Sequence, residues 1–168
     1  MALRLAQFRD PNLAIPRGAD DLVTVVGFYP REFYPLDNFA AFAVDWLGKR
    51  FPTAEHAYHW SKYTQSAPEV AERIFQARSP HDAQKLAIKH KDLRQADWSR
   101  VKLEIMEEIL RLKLEQNSYV KQKLLQTLDL EIVEDSPKDS FWGWGPDRSG
   151  RNELGKLWMK LRAEFEQQ

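Results

Sequence analysis

Apolar side chains recur at helical spacing over much of this chain, and at strand spacing only in short segments. The strongest helical pattern follows Asp97, where two apolar stripes at steps of three and four predict a long helix contacted on two sides. Residues 154–165 place apolar side chains on one face and charged ones on the other, which predicts a closing helix. A shorter helix is predicted between these two, over residues 118–127.

Two further helices have recognisable starting signals. Thr53 follows Pro52 as an N-cap candidate, and residues 54–63 contain neither Gly nor Pro, so a helix of about three turns is predicted there. Ser79 is followed by Pro80 and Asp82, which resembles a capping box with Asp in place of Glu. This second signal predicts a helix that runs through Ile88.

The strand signals are few and short. Residues 22–28 are β-branched and apolar enough for a buried strand, and residues 39–46 alternate before Leu47-Gly48 and a basic return, which predicts a hairpin. Residues 128–132 also alternate. Residues 1–20 show little periodicity and contain Pro11, Pro16 and Gly18, so we interpret them as an extension before a single domain at residues 21–168.

Composition narrows the class of protein. Of 168 residues, 43% are hydrophobic and 30% are charged, which is ordinary for one globular domain. Formal net charge is zero, so no global field draws the chain to nucleic acid or to an anionic membrane. Cysteine is absent, which excludes disulfides and thiolate chemistry. With no apolar leader or long apolar run, we expect a cytoplasmic protein without a membrane anchor.

The first candidate for chemistry is the helix after Pro52. Glu55, Tyr58, His59 and Lys62 share one face, so an acid and an amine flanked by an aromatic ring can line a pocket. Taken alone, the pattern favours an exposed amphipathic helix in which Glu55 merely complements the helix dipole. The histidine spacing lacks the i, i+4 pair of a zincin helix, so we expect no metal.

The second candidate is the loop at residues 135–152. It combines carboxylates, glycines and two Trp residues in a connection longer than usual, and such loops are often functional. The alternative is that Trp142 and Trp144 cover the core while the glycines form turns.

Many separate segments, in the same order, resemble the NADAR family, also called YbiA-like, over nearly the whole chain after about residue 27. The matching positions are Phe28, residues 34–39, residues 51–56, Tyr58, Lys62-Tyr63, Ser79-Pro80, Ala83, Asp97-Trp98, Met106, Lys113, Asn117, residues 124–125, Thr127, Glu134, Asp139, Trp142-Gly143, residues 150–152 and residues 154–157. The chain departs from the family pattern at Asp37, where Ser is usual, and at Trp144, where a smaller or more polar residue is common. Because the resemblance implies an extra carboxylate near the pocket at Asp37, the substrate preference of relatives does not carry over directly to this chain.

The resemblance implies a fold class and an activity. The fold is mainly α with a few short β-strands (α+β), a single-domain helical fold of the YbiA-like type. The activity is hydrolysis of N-glycosides of ribose, without a cofactor. Two kinds of substrate are associated with such proteins: phosphoribosylamino-pyrimidine intermediates of riboflavin biosynthesis, and guanine bases in nucleic acid that carry ADP-ribose. The sequence does not distinguish between these two kinds of substrate.

Cleavage of a C1–N bond needs help at both ends, because positive charge builds on the ribose while the departing nitrogen gains a proton. On this basis, Glu55 is the predicted principal acid or base and Asp139 the second carboxylate, which stabilises the cation or aligns water. Lys62 has two possible roles. It either forms a Schiff base with C1 of a ring-opened substrate, or binds phosphate.

A further set of residues is predicted to bind the substrate. Aromatic rings stack on the base or ribose, Asn152 donates to a hydroxyl or phosphate, Arg148 pairs with phosphate, and the rest lie in the matched motifs. The set is Asn38, Phe39, Tyr58, Trp60, Trp142, Gly143, Arg148 and Asn152. The alternative function is a module that binds ADP-ribose or a related nucleotide without cleaving it. Retention of two carboxylates favours the enzyme, because binding an anion gains nothing from them.

Overall fold

The computed structural model describes residues 15–16, 24–28 and 32–167. Over these residues the chain is mainly helical, with five short strands, which agrees with the predicted fold class. The helices are α1 (Ala54–Ser61), α2 (Pro68–Phe75), α3 (Pro80–Lys89), α4 (Trp98–Gln116), α5 (Ser118–Leu125) and α6 (Glu153–Phe165). The strands are β1 (Ile15–Pro16), β2 (Thr24–Gly27), β3 (Val44–Trp46), β4 (Lys49–Phe51) and β5 (Glu131–Val133).

The described residues form two compact units. The terminal unit contains the residues up to Asp37 and those from Lys121 onward, and the central unit is Asn38–Val120. The prediction of a single domain at residues 21–168 stays a prediction.

A three-stranded sheet lies in the terminal unit, with strand order β1-β2-β5. β2 runs parallel to β5, with Val26 opposite Ile132, and both side chains are fully buried. The strand predicted at residues 22–28 is confirmed with shorter bounds, and the alternating segment at residues 128–132 overlaps β5, which begins at Glu131 and ends at Val133. Ile15–Pro16 falls within the predicted extension at residues 1–20, but it forms β1 and pairs antiparallel with β2. The other residues of the predicted extension, 1–14 and 17–20, lie outside the described residues.

Helix α6 packs on β5 at very short range. A Cβ atom added at Gly155 would lie 2.1 Å from the backbone oxygen of Ile132, so a side chain at this position would force helix and strand apart. Trp158 is fully buried, and its indole Nε1–H donates to the Leu36 carbonyl at 2.9 Å. The buried Arg162 guanidinium donates to the Leu130 carbonyl at 2.9 Å, which ties the end of α6 to the segment before β5.

The predicted hairpin of the central unit is confirmed. Val44 pairs with Phe51 across β3 and β4, and the turn places Leu47 and Gly48 in the left-handed region, at φ 49° and 75°. The Gln116 side chain at the end of α4 both accepts from the Asp45 backbone N–H and donates to its carbonyl, at 2.7 and 2.9 Å. These bonds hold the hairpin against the long helix.

The helix starts predicted at Thr53 and Ser79 are confirmed. The Thr53 hydroxyl accepts from the His56 backbone N–H, and the Ser79 hydroxyl accepts from that of Asp82 at 3.1 Å. The long helix after Asp97 is confirmed as α4, and no helix of the described residues is long and apolar enough to cross a membrane. Helix α2 was not predicted, although Val70, Ala71 and Ile74 lie at helical spacing on one buried face.

Candidate functional site

Helix α1 is the element that carries the predicted acid, and the backbone N–H groups of Glu55 and His56 in its first turn already have hydrogen-bond partners. The Asn38 carbonyl accepts from the Glu55 backbone N–H at 3.0 Å, and the Thr53 hydroxyl accepts from the next N–H along the helix. These donors are therefore not available to a phosphate group. Every residue from Ala54 to Ser61 is buried, so the alternative interpretation of α1 as an exposed amphipathic helix is wrong.

Glu55 and His59 form a buried pair one turn apart. The Glu55 Oε1 and His59 Nε2 atoms lie 2.7 Å apart, and the two side chains are only 8% and 7% exposed. An ionised carboxylate can only accept hydrogen bonds, so Nε2 is the ring nitrogen that carries the proton. This pairing sets the tautomer of His59 and leaves Nδ1 as an acceptor when the ring is neutral.

Lys62 continues the chain of contacts on the same helix face. Its Nζ lies 2.8 Å from His59 Nδ1, which is the nitrogen that the pairing with Glu55 leaves as an acceptor. The same Nζ lies 4.3 Å from the centre of the Tyr58 ring and 5.5 Å from that of Trp98 on α4. Aromatic faces attract a cation, so these rings stabilise the ammonium form of Lys62.

The His59 imidazole, which lies between Glu55 and Lys62, is kept neutral by its surroundings. Burial lowers the pKa of His59 below its ordinary value and outweighs the Glu55 carboxylate, which raises it, while Lys62 lowers it further. We call Glu55, Tyr58, His59 and Lys62 the α1 cluster. With Lys62 as the ammonium and Glu55 as the carboxylate, it is a continuous series of hydrogen-bonded groups joined through the imidazole, which can move a proton along a helix face.

The other predicted ligands of the central unit have different surroundings. Trp60 packs in an aromatic group, with ring centres 5.2 Å from Phe51 and 5.9 Å from Trp46, and this favours a packing role. The Phe39 ring lies 4.8 Å from that of His81. The ligand roles of Trp60 and Phe39 stay predictions.

Asn38 is buried beside the start of α1. Its Nδ2 lies 3.4 Å from Met106 Sδ, and among the described residues its buried Oδ1 atom has no hydrogen-bond partner. A buried acceptor without a partner is unfavourable by roughly 1–3 kcal/mol, so a donor from water or substrate would stabilise it. The predicted ligand role of Asn38 remains a prediction.

The Trp-rich loop belongs to the terminal unit, where Asp139 organises its backbone. Asp139 Oδ1 accepts from the backbone N–H groups of Phe141 and Trp142, both at 2.8 Å. Gly143 follows, and a Cβ atom there would lie 2.5 Å from the Glu134 backbone oxygen, so close chain approach explains the glycine. These contacts give Asp139 and Gly143 a structural function; their catalytic and binding roles stay predictions.

Asn152 links this loop to β5. It has a left-handed backbone with φ 51°, and its buried amide donates to the Ile132 carbonyl at 2.9 Å and accepts from the Glu134 N–H at 3.1 Å. Asn tolerates this conformation better than most residues. Because both ends of the amide bond the strand, the structure gives Asn152 a positioning role, and its role as a substrate ligand stays a prediction.

The contacts of Asn152 predict a large effect on stability. Asn152→Ala removes the side-chain partners of the Glu134 N–H and the Ile132 carbonyl, so we expect it to lower the free energy of unfolding by about 2–4 kcal/mol. Urea unfolding of the variant measures this loss. Asn152→Gly is the matched control for backbone strain, since it removes the same bonds while tolerating a positive φ. An unchanged unfolding free energy together with a raised KM would contradict the positioning role and support the ligand role.

The two Trp residues of the loop differ. Trp144 is buried and packs with Val25 and Val133, so the alternative that these rings cover the core holds for this one. Trp142 is half-buried, with its ring 5.0 Å from that of Phe141 in an edge-on arrangement. Arg148 is exposed, and its guanidinium lies 5.5 Å from the Trp144 ring. The binding roles predicted for Trp142 and Arg148 are neither supported nor opposed by these contacts.

His59 is the residue of the α1 cluster that the sequence-based set of site residues omits. The signal was present, since His59 lies four residues after Glu55 and three before Lys62. Among the residues that the structure describes, no group of three His, Asp or Glu side chains is arranged to hold a metal ion.

A mainly helical domain that carries this cluster matches one family of proteins. The family model described as the NADAR domain matches residues 27–166, and the chain therefore belongs to the NADAR family. The protein named N-glycosidase YbiA from Escherichia coli K12 is 32% identical over 144 residues, which is 84% of this chain and 89% of that protein. An NMR structure of E. coli YbiA superimposes with a TM-score of 0.76 at 30% identity and covers 84% of both chains, which confirms the fold.

A second relative is longer than this chain. The protein named riboflavin biosynthesis protein VVA0006, from Vibrio vulnificus, is 34% identical over 132 residues. The match spans 79% of this chain but only 35% of that protein. The present chain therefore corresponds to about a third of the Vibrio protein and to most of YbiA.

Proposed function

We propose that this chain hydrolyses the bond between C1 of ribose and a nitrogen in small phosphoribosylamino-pyrimidines, and that the α1 cluster performs the reaction. The chain is an N-glycosidase by family membership and by the names of its relatives. The single observation that carries the proposed site is the Glu55–His59–Lys62 chain, with separations of 2.7 and 2.8 Å on opposite nitrogens of the imidazole ring.

Glu55 is proposed as the proton donor to the departing nitrogen. His59 engages Oε1 of the carboxylate, and we assign the second oxygen, Oε2, to the substrate. The Glu55 side chain is only 8% exposed, so a proton that it holds is shielded from bulk water and is delivered to the substrate. The same group, once ionised, can then accept a proton from the water that completes hydrolysis.

Lys62 is proposed as the nucleophile. In the ring-opened substrate, C1 forms a C=N bond to the pyrimidine amine; the lone pair of neutral Lys62 attacks C1, and the π electrons move to that nitrogen. The nitrogen takes one proton from Glu55 and a second from the attacking amine, and it departs as the free amine, which leaves C1 joined to Lys62 as a protonated Schiff base. Water then adds to C1, and the sugar aldehyde and the free lysine are regenerated. The other role, binding of phosphate, requires the ammonium form throughout.

The pyrimidine class of substrate is supported by the Vibrio relative, whose name places it in riboflavin biosynthesis. A substrate with ADP-ribose on guanine, and hence a nucleic-acid partner, is the less supported alternative, since the chain carries no net positive charge to hold a polyanion. The predicted absence of a cofactor is part of the proposal, and the predicted cytoplasmic location stays a prediction.

A two-substrate assay tests the proposed function. The protein is incubated with 5-amino-6-(5-phosphoribosylamino)uracil and, separately, with DNA that carries ADP-ribose on guanine. We expect release of ribose 5-phosphate and the free diaminouracil in the first reaction, and little product in the second. Cleavage of the DNA adduct alone would overturn the assignment of substrate, and cleavage of neither would favour the module that binds without turnover.

A further inference from the structure

We propose that His59 is a proton relay: by exchanging its tautomer it converts Lys62 to a neutral amine and Glu55 to a carboxylic acid in one concerted step. The inference rests on the proposed function, because it explains how one site supplies a nucleophile and an acid at the same time. His59 acts through its two neighbours and touches no reacting atom, so it is a positioning residue rather than a catalytic one.

The geometry leaves one assignment of protons in the resting cluster. Lys62 has only donors when charged, and ionised Glu55 has only acceptors, so the imidazole must accept at Nδ1 and donate at Nε2. The distances, 2.8 Å from Lys62 Nζ to Nδ1 and 2.7 Å from Nε2 to Glu55 Oε1, are those of charge-assisted hydrogen bonds. Each proton therefore moves along a bond that already exists.

The step balances in protons and charge. Lys62 transfers one proton to His59 Nδ1 while His59 passes the Nε2 proton to Glu55 Oε1. The cluster begins as a cation, a neutral ring and an anion, and ends as three neutral groups, so the net charge of zero does not change. His59 ends as the Nδ1–H tautomer. The reverse transfer, after the product leaves, restores the resting state.

Burial favours the state in which Glu55, His59 and Lys62 are all neutral. The side chains of Glu55 and His59 are each more than nine-tenths buried, and separated charges in such surroundings are disfavoured relative to neutral groups. The Tyr58 and Trp98 rings act in the opposite sense, because they stabilise the Lys62 ammonium. An acceptor held against the ammonium is therefore needed to remove its proton, and His59 supplies one.

A purely structural role makes a different prediction. A side chain that only spaces Lys62 from Glu55 needs one donor and one acceptor, and the Gln amide has both. It lacks the second tautomer, so it cannot carry a proton from one neighbour to the other. His59→Gln therefore separates positioning by hydrogen bonds from proton relay.

The test is the dependence of kcat on imidazole concentration at constant neutral pH, for hydrolysis of the phosphoribosylamino-pyrimidine. In the native protein the relay moves the proton within the cluster, so we expect kcat to be independent of imidazole. In His59→Gln the proton must pass from Lys62 to Glu55 through solvent or buffer, so we expect kcat to be about 10²-fold lower and to rise with imidazole concentration.

The matched control is His56→Gln. His56 lies on the same helix, and burial lowers its pKa as well, but its ring contacts Thr53 Oγ1 and the Ala77 carbonyl rather than Lys62. Glu55 and Lys62 act electrostatically on the His59 ring, His59 in turn lowers the pKa of His56, and Trp98, from α4, does not titrate. We expect His56→Gln to keep the native kcat and to show no dependence on imidazole concentration.

A kcat of His59→Gln close to the native value, or a lowered kcat that imidazole does not raise, would overturn the relay while leaving the proposed function intact. Absence of turnover by the native protein would instead refute the proposed function. If His59→Gln does not fold, the ¹⁵N chemical shifts of the His59 ring in the native protein provide a second test of the relay. We expect the resting protein to show a neutral ring protonated at Nε2. A ring protonated at Nδ1, or at both nitrogens at pH 7, would contradict the relay.

Discussion

Glu55→Gln is expected to lower kcat by about 10²–10⁴ with the fold intact. Gln has the shape of Glu, and its amide oxygen still accepts from His59 Nε2, so the buried contact at 2.7 Å survives. What the variant loses is the proton that the departing nitrogen requires. Steady-state release of ribose 5-phosphate measures the change, and thermal unfolding verifies the fold.

The matched control for Glu55 is Glu69→Gln. Glu69 is the acidic residue in the first turn of α2, as Glu55 is in α1, but it is exposed. If Glu55 only complemented the helix dipole, both variants would lose about 0.3–1 kcal/mol of stability and retain turnover. If the kcat of Glu55→Gln were within a few-fold of the native value, the assignment of Glu55 as the acid would be wrong.

Lys62→Arg and Lys62→Met are both expected to reduce kcat by at least about 10³. The guanidinium of Arg remains protonated at any accessible pH, so it cannot attack C1, and Met has no amine. The pair separates the two roles of Lys62. An anion-binding side chain tolerates Arg, whereas a nucleophile tolerates neither substitution.

Lys49→Arg provides the control for a lysine that lies against an aromatic ring. Its Nζ lies 4.3 Å from the centre of the Phe75 ring, the same separation as between Lys62 and Tyr58. We expect this variant to keep native turnover. If Lys62→Arg retained activity within about tenfold of native while Lys62→Met lost it, phosphate binding would replace Schiff-base formation as the role of Lys62.

Local signals in the sequence predict much of this fold. Thr53 and Ser79 cap helices as expected, because a hydroxyl accepting a first-turn N–H needs no information from elsewhere in the chain. The stripe of Glu55 and Lys62 on one face of α1 is likewise a consequence of helical period. The burial of that face does not follow from helical period, because it depends on which elements pack against α1. The pattern alone favoured an exposed helix.

Other features depend on contacts that are distant in sequence. The parallel pairing of β2 with β5 joins residues more than a hundred positions apart, and a single sequence gives no register for it. Trp142 and Trp144 are indistinguishable by composition, yet only Trp144 packs with Val25 and Val133. Asn152 was predicted to bind substrate because it starts a helix; the bonds from its side chain to β5 become visible only in the structure.

Borohydride trapping tests the central claim most directly. The native protein is incubated with 5-amino-6-(5-phosphoribosylamino)uracil, reduced with sodium borohydride, and digested for mass spectrometry. The proposed reaction predicts a stable ribitol 5-phosphate adduct on Lys62, absent from Lys62→Met and from protein reduced without substrate. Turnover of the substrate with no adduct on Lys62, or with the adduct on another lysine, would contradict the proposed mechanism.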